Sequence, residues 1–371
     1  MDEGKRDWES VASELRELIK THGLVLGYTS FSALSLWDKV PYTSPTPFHD
    51  LEYLCFDDFI VLDSAKSYIG GRPPECAPNT HFSSKSGNIE GRVVFEKPGF
   101  DGYIDMVRRA KKYIGAGEVF QVVLARKLGV EFNGSYTSVF MRLLEKNPSP
   151  YMYYFKVGER RIIGSSPETL ARVRGQRVET YPIAGTRRVT GNPELDEALR
   201  IELLRSPKEA AEHVMLVDLA RNDLGRVSRF GSIRVTLYRK VLKYSHVQHL
   251  VSKVVGTLRD GVDSVDVFRA VFPAGTVCGA PKVRAAQLIH ELEGEPRGPY
   301  AGSVGYFMGA NNMDMAINIR SLYSYGSLSV VQAGAGIVAS SDPVSEYYET
   351  EHKARVVVEA LRVGGLEATE P

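Results

Sequence analysis

Three strand-like runs, Tyr151–Val157, Arg161–Gly164 and Thr169–Arg174, follow one another with no room for a helix between them. Parallel neighbours need a crossover of about a dozen residues, so these runs can pair only in antiparallel fashion. The pattern recurs near the C-terminus at Gly302–Met308, Asp314–Tyr323 and Ser327–Gln332. Val119–Phe132, broken at Arg126-Lys127, and Val241–Leu258 read as longer strands, and Tyr53–Asp63 as another that ends at Ser64. Helical periodicity marks Trp8–Lys20, with Val11, Leu15, Leu18 and Ile19 on one face, and Phe100–Gly115. It also marks Thr137–Glu145, Pro281–Glu293 and Pro343–Leu361. Another helix opens at Ser206, with Pro207 at its first position and Glu209 closing a capping box. Strands outnumber helices and sit in neighbouring runs. The expected class is α+β, layered antiparallel β-sheets flanked by helices.

Composition narrows the function. The chain has 371 residues, with 46 basic and 45 acidic side chains and a net charge of +1. That balance argues against a nucleic-acid binder working through a global basic field. Cys55, Cys76 and Cys278 form no C-x-x-C pair, which removes a zinc ribbon or thioredoxin motif. So sparse a set fits a reducing cytoplasm. Met1 to Arg6 lead into no apolar segment, so no signal peptide is expected, and no apolar run of about 18 residues suggests a membrane helix. Residues 71–90 carry little regular signal and read as a loop.

Two nucleotide signatures fail. Gly334-Ala335-Gly336-Ile337-Val338-Ala339 fits G-x-G-x-x-A, but Ser340-Ser341-Asp342-Pro343 intervenes before any helix. Gly275 to Lys282 lacks the Gly-Lys-Ser/Thr end of a P-loop. The carboxylates say more. Glu209 and Glu212 lie three apart on one helix, and Glu346 and Glu349 repeat the spacing on the last. Two such pairs suit a hard cation such as Mg²⁺. A plainer reading makes Glu209 a cap and Glu349 the i+4 partner of Lys353. His246 and His249 are three apart in a strand and face opposite sides, so one at most serves a given site. Thr276 to Pro281 runs into a helix N-terminus, where free N–H groups suit an anion. Gly185-Thr186, Arg320 and a Gly334–Gly336 loop offer further donors. Asn147-Pro148-Ser149-Pro150 reads as a turn.

Four strings carry a resemblance: Tyr181-Pro182-Ile183-Ala184-Gly185-Thr186-Arg187, Glu212-His213-Val214-Met215-Leu216-Val217-Asp218-Leu219-Ala220-Arg221-Asn222-Asp223, Gly279-Ala280-Pro281-Lys282-Val283-Arg284-Ala285 and Gln332-Ala333-Gly334-Ala335-Gly336-Ile337-Val338. Together they resemble the signature segments of the chorismate-utilising enzymes, and of anthranilate synthase component I in particular. The match runs from about Phe100 to Leu361. It implies a shortened N-terminal region over 1–90 and a chorismate-binding catalytic domain over 91–371, intertwined as one unit.

The resemblance also implies roles. Glu212 and Glu349 would bind Mg²⁺, with Glu209 and Glu346 beside them. Gly185, Thr186, Tyr300, Arg320, Gly334, Ala335 and Gly336 would contact chorismate. Thr276 and His249 match active-site residues, and Glu168 matches the general acid, whose pKa burial should raise. The implied reaction is a lyase reaction of tryptophan biosynthesis: ammonia adds as the ring hydroxyl leaves, then pyruvate is lost to give anthranilate. Ala184 stands where aminodeoxychorismate synthases often carry Lys. Gln121 stands where water-using relatives place a Lys base, and an amide cannot activate water. No glutaminase arrangement of Cys, His and Glu is legible, so a glutamine amidotransferase subunit is implied, in a heterotetramer. Pro150, Tyr151 and Met152 resemble half of a feedback site for L-tryptophan. Val61-Leu62-Asp63-Ser64 stands where relatives carry Leu-Leu-Glu-Ser, which makes Ser64 part of the other half.

Overall fold

The computed structural model describes residues 7–41, 46–62, 67–70, 89–243 and 247–362. Among these residues the larger sheet has nine strands. Their spatial order is Ile183–Arg188, Val247–Thr257, Arg177–Thr180, Thr169–Arg174, Asn312–Ile317, Ser303–Phe307, Leu24–Thr29 and Leu51–Phe56, with Arg234–Lys243 also on Val247–Thr257. The second sheet has seven: Gly279–Ala280, Gln121–Asn133, Leu328–Ile337, Ser321–Tyr325, Arg160–Ser166 and Tyr151–Val157, with Glu90–Lys97 also on Gln121–Asn133. Phe59–Leu62 and Ser67–Gly70 form a separate hairpin. Neighbours pair antiparallel, as the short connections require. Helices Trp8–Thr21, Phe100–Gly115, Tyr136–Lys146, Pro207–Gly225, Lys282–Glu293 and Pro343–Ala360 flank the sheets. The first strand, Leu24–Thr29, lies against Ser303–Phe307 from the far end of the chain. One apolar core, with Tyr28, Phe268, Phe272 and Phe307 at its centre, joins these distant segments.

Several boundaries differ from expectation, each for a local reason. Gln121–Asn133 is unbroken at Arg126. Arg126 is only 2% exposed, yet it pairs with Glu96 at 2.9 Å and with Glu351, and lies 4.1 Å over the Tyr347 ring. A buried charge so partnered need not break a strand. Tyr53–Asp63 is two strands, parted by the exposed acids Asp57 and Asp58. Val241–Leu258 covers the end of Arg234–Lys243 and all of Val247–Thr257, which pair as a hairpin. Asp314–Tyr323 splits where the chain leaves one sheet for the other, and Arg320 takes φ 51° at the turn. Gly334–Gly336 is strand, not loop, because Leu328–Ile337 continues through it.

At Ser206 the side chain accepts from Glu209 N at 3.3 Å, so the cap forms. The reciprocal half of the box does not. Ser206 N already donates to Glu202 O of the preceding helix, and the Glu209 carboxylate turns to Arg187. In the first helix Trp8, Ala12, Leu15 and Ile19 are buried, and Val11 and Leu18 flank that stripe. His246 and most of 71–90 lie outside the described residues.

Candidate active site

Two neighbouring crossovers between the sheets build the heart of the site. Ser166-Pro167-Glu168 leads from Arg160–Ser166 in the smaller sheet to Thr169–Arg174 in the larger. Asn318 to Arg320 makes the return from Asn312–Ile317 to Ser321–Tyr325. The crossovers are tied together: Ile317 N donates to Glu168 O at 3.0 Å, and Ser165 N to Arg320 O at 3.2 Å. Glu168 is thereby held in protein, and burial pushes its carboxyl up to about 7 despite the Thr276 hydroxyl, Lys353 and Arg320 nearby. The expectation that burial raises it is met. Arg320 responds in kind, its burial lowering its pKa against the pull of Glu168.

His249 sits on Val247–Thr257, opposite Thr186. Its Nδ1 lies 3.0 Å from Thr186 Oγ1 and 3.2 Å from Gly185 O. A carbonyl can only accept, so this geometry assigns the hydrogen to Nδ1 and makes Nε2 the basic nitrogen. Burial, then Arg320, lowers the imidazole to about 4, so it is neutral at physiological pH. A register shift between Ala184 and Thr186 forms a bulge at Gly185, whose φ is +63°. A Cβ there would meet Leu203 Cδ1 at 2.6 Å and Glu209 Oε2 at 2.7 Å. The glycine therefore lets the carboxylate helix approach the strand.

The four expected carboxylates come from two helices, Pro207–Gly225 and Pro343–Ala360. Glu212 is pushed up to about 7, by burial first and then by Glu209 and Glu349. Burial and Glu349 raise Glu346, which a hydrogen bond to Ser341 partly offsets. Burial would raise Glu349 as well, but Lys353, 2.6 Å away, brings it below its ordinary value. Glu349 and Lys353 keep 49% and 44% of their side-chain surface open although protein encloses them on most sides. With that much surface open, solvent screening tempers these shifts. Among the described residues no three His, Cys, Asp or Glu side chains close into a metal cage.

Lys353 is the participant that sequence spacing undervalued. Its Nζ bonds Gly334 O at 3.0 Å as well as Glu349, and its charge reaches Glu168, Glu212, His249 and Tyr300. The i+4 spacing from Glu349 was the available signal. Gln121 is buried, its Oε1 has no partner, and its Nε2 would lie 2.5 Å from a Cβ on Gly336. A Cβ on Gly334 would meet Tyr300 Oη at 2.9 Å. Ala335 points the other way in the strand, into the core, which leaves only its peptide group for a ligand. Tyr151 donates to Asp314 at 2.7 Å and Met152 packs on a separate apolar cluster that includes Leu143, Ile163 and Leu322, while Pro150 is exposed. Ser64 lies outside the described residues.

The site can therefore offer a carboxyl that titrates near neutrality, a neutral imidazole, the cations Arg320 and Lys353, and carboxylates from two helices. Comparison with known proteins bears on the family. Residues 3–359 match the family described as chorismate binding enzyme. The chain is 43% identical to anthranilate synthase component 1 of Methanothermobacter thermautotrophicus, over 94% of this chain and 77% of that protein. It is 44% identical to the protein of that name from Saccharolobus solfataricus, over 92% and 81%. The crystal structure of anthranilate synthase component I from Streptococcus pneumoniae superposes with a TM-score of 0.82 at 32% identity, over 95% of this chain and 86% of that one. An isochorismate synthase structure from Escherichia coli, at 22% identity and TM-score 0.73, shares the fold. With its antiparallel sheets, its crossover-built site and these relatives, the chain belongs to the chorismate-binding enzyme family, alongside anthranilate synthase component 1.

Proposed function

We propose that this chain converts chorismate and ammonia to anthranilate and pyruvate, as the large component of an anthranilate synthase. The observation that carries the reading is the combination of Glu168, a carboxyl that burial lifts to about 7, with an amide rather than a base at buried Gln121. Glu168 gives its proton to the departing ring hydroxyl, which leaves as water while ammonia's nitrogen bonds to the ring. Water as nucleophile would need a base, and Gln121 is none. In the second step the ring C–H proton passes to His249 Nε2, the C–O bond to the side chain breaks, and the enolpyruvyl group takes up a proton to leave as pyruvate. Arg320, Tyr300 and the peptide groups of Gly185, Thr186, Gly334 and Gly336 hold the substrate. Thr276 steadies Glu168.

Glu212 and Glu349 would hold Mg²⁺, with Glu209 and Glu346 behind them. The fit rests on Glu212, whose carboxyl is raised by burial first and then by Glu209 and Glu349, more than Lys353 and Lys208 offset. The ion would screen the ring carboxylate and help orient it. A glutamine amidotransferase subunit would supply ammonia. Cys278, whose thiol burial pushes up to about 12, is no nucleophile for that purpose. Free Cys55 and Cys278 suit a cytoplasmic setting. L-Tryptophan would inhibit through Pro150–Met152 together with Ser64.

Incubating the chain with chorismate, ammonium and Mg²⁺ tests the reading. Anthranilate fluorescence that disappears with chelator and returns with Mg²⁺ supports it. Accumulation of aminodeoxychorismate, or turnover indifferent to chelator, contradicts it.

A further inference from the structure

Strand Gln121–Asn133 has an unfilled stretch on one side. Gly279–Ala280 pairs with it at Gln121 and Val122, and Glu90–Lys97 pairs with it from Lys127 onward. Between them no strand among the described residues covers Val123 to Arg126, although Val123 N donates to Cys278 O at 2.9 Å. A backbone edge left bare in the interior would cost its hydrogen bonds. The ion pair of Glu293 and Arg297, only 7% and 1% exposed, serves the next two backbone groups on that side. Glu293 Oε1 accepts from Ala125 N at 2.8 Å, and Arg297 Nη2 donates to Val123 O at 2.7 Å. Acceptor and donor thus stand where the next strand's carbonyl and amide would be.

The same guanidinium reaches further. Nη1 donates to Val277 O at 2.8 Å, one residue from Thr276. The cation lies 5.6 Å from the Tyr300 ring centre. Arg297 O accepts from Gln332 Nε2 at 2.8 Å, on the strand that carries Gly334 and Gly336. Each of these segments bears a residue assigned above to substrate or chemistry, and each meets the pair through peptide groups or a ring face.

We propose that Glu293 and Arg297 are positioning residues for turnover. They replace a missing strand segment and so fix Gln121, Thr276, Tyr300 and Gly334 relative to one another. The proposal rests on the activity inferred above. A double change, Glu293→Leu with Arg297→Met, removes both charges while keeping apolar bulk, and buried pairs replaced in this way commonly leave a folded protein. Arg297→Lys is the milder variant. Turnover is counted per chorismate-binding site, so that unfolded molecules do not enter. We expect kcat per site to fall roughly ten- to a hundredfold in the double variant, as small misplacements do, with KM for chorismate changed less than about threefold. Arg297→Lys should fall between it and the parent. Exchange of the Ala125 amide should quicken in the double variant. Turnover per site within twofold of the parent in both variants overturns the proposal. So does a rise in KM with kcat unchanged. A parent without turnover refutes the activity instead, and the Ala125 exchange then decides whether the pair holds the strand.

Discussion

Glu168 carries the sharpest consequences of any single residue. Its folded pKa of about 7 lies above the ordinary carboxylate value of 4.5. As the proposed general acid it would act in its acid form, so kcat/KM for chorismate at constant free ammonia should decline as pH rises through about 7. A pH–rate profile with ammonium adjusted at each point checks this. Glu168→Gln should lower kcat by roughly 10²–10⁴-fold, the usual worth of a positioned acid, with chorismate binding nearly unchanged. The folded protein binds more protons at this carboxyl than the unfolded chain between pH 4.5 and 7, so stability falls across that window as pH rises. Removing the charge should then stabilise the protein at pH 8 by about 3 kcal/mol, from 1.36 kcal/mol per pKa unit, as read by denaturant unfolding. At this scale the sequence was informative in part: Glu212 stands in one of the four ordered strings, Glu168, His249 and Thr276 came from the resemblance, and Glu168, Glu212 and His249 all feel the charge of Lys353. Lys353 was taken as a plain helical partner because spacing shows only one of its two bonds.

Elements explain why the glycines are where they are. Gly336→Ala would drive a Cβ into Gln121 Nε2, and Gln121 is buried with little room to yield. We expect kcat to drop roughly ten- to a hundredfold by displacement of that side chain. Gly115→Ala, at the end of Phe100–Gly115 where a Cβ meets nothing within 4 Å, should leave kcat unchanged. On the carboxylate helices, Glu212→Gln should raise the Mg²⁺ concentration for half-maximal turnover by at least the order of ten- to a hundredfold that even an outer-shell partner contributes, measured by metal titration of activity. Element types were legible in the sequence, but ends were not. Arg126 looked like a break because periodicity cannot reveal Glu96 and Glu351, distant in sequence, waiting to pair with it. Ser206 looked like a full capping box because its competing bond to Glu202 belongs to a different helix.

At the scale of the molecule, the site exists because two antiparallel sheets exchange strands. Glu168 and Arg320 sit on adjacent exchanges, and the helices that bring Glu212 and Glu349 converge from separate parts of the chain. Local pattern predicts strands and their antiparallel sense, but not which sheet each joins, since that depends on pairings such as Leu24–Thr29 with Ser303–Phe307. The central claim is that ammonia, not water, attacks the ring, and its nitrogen can be followed. The chain should be given chorismate, Mg²⁺ and isotopically heavy ammonium, and the product weighed. Anthranilate bearing the heavy nitrogen, with one pyruvate released for each, is the predicted result. Isochorismate without the label would contradict the account and make this site a hydrating one.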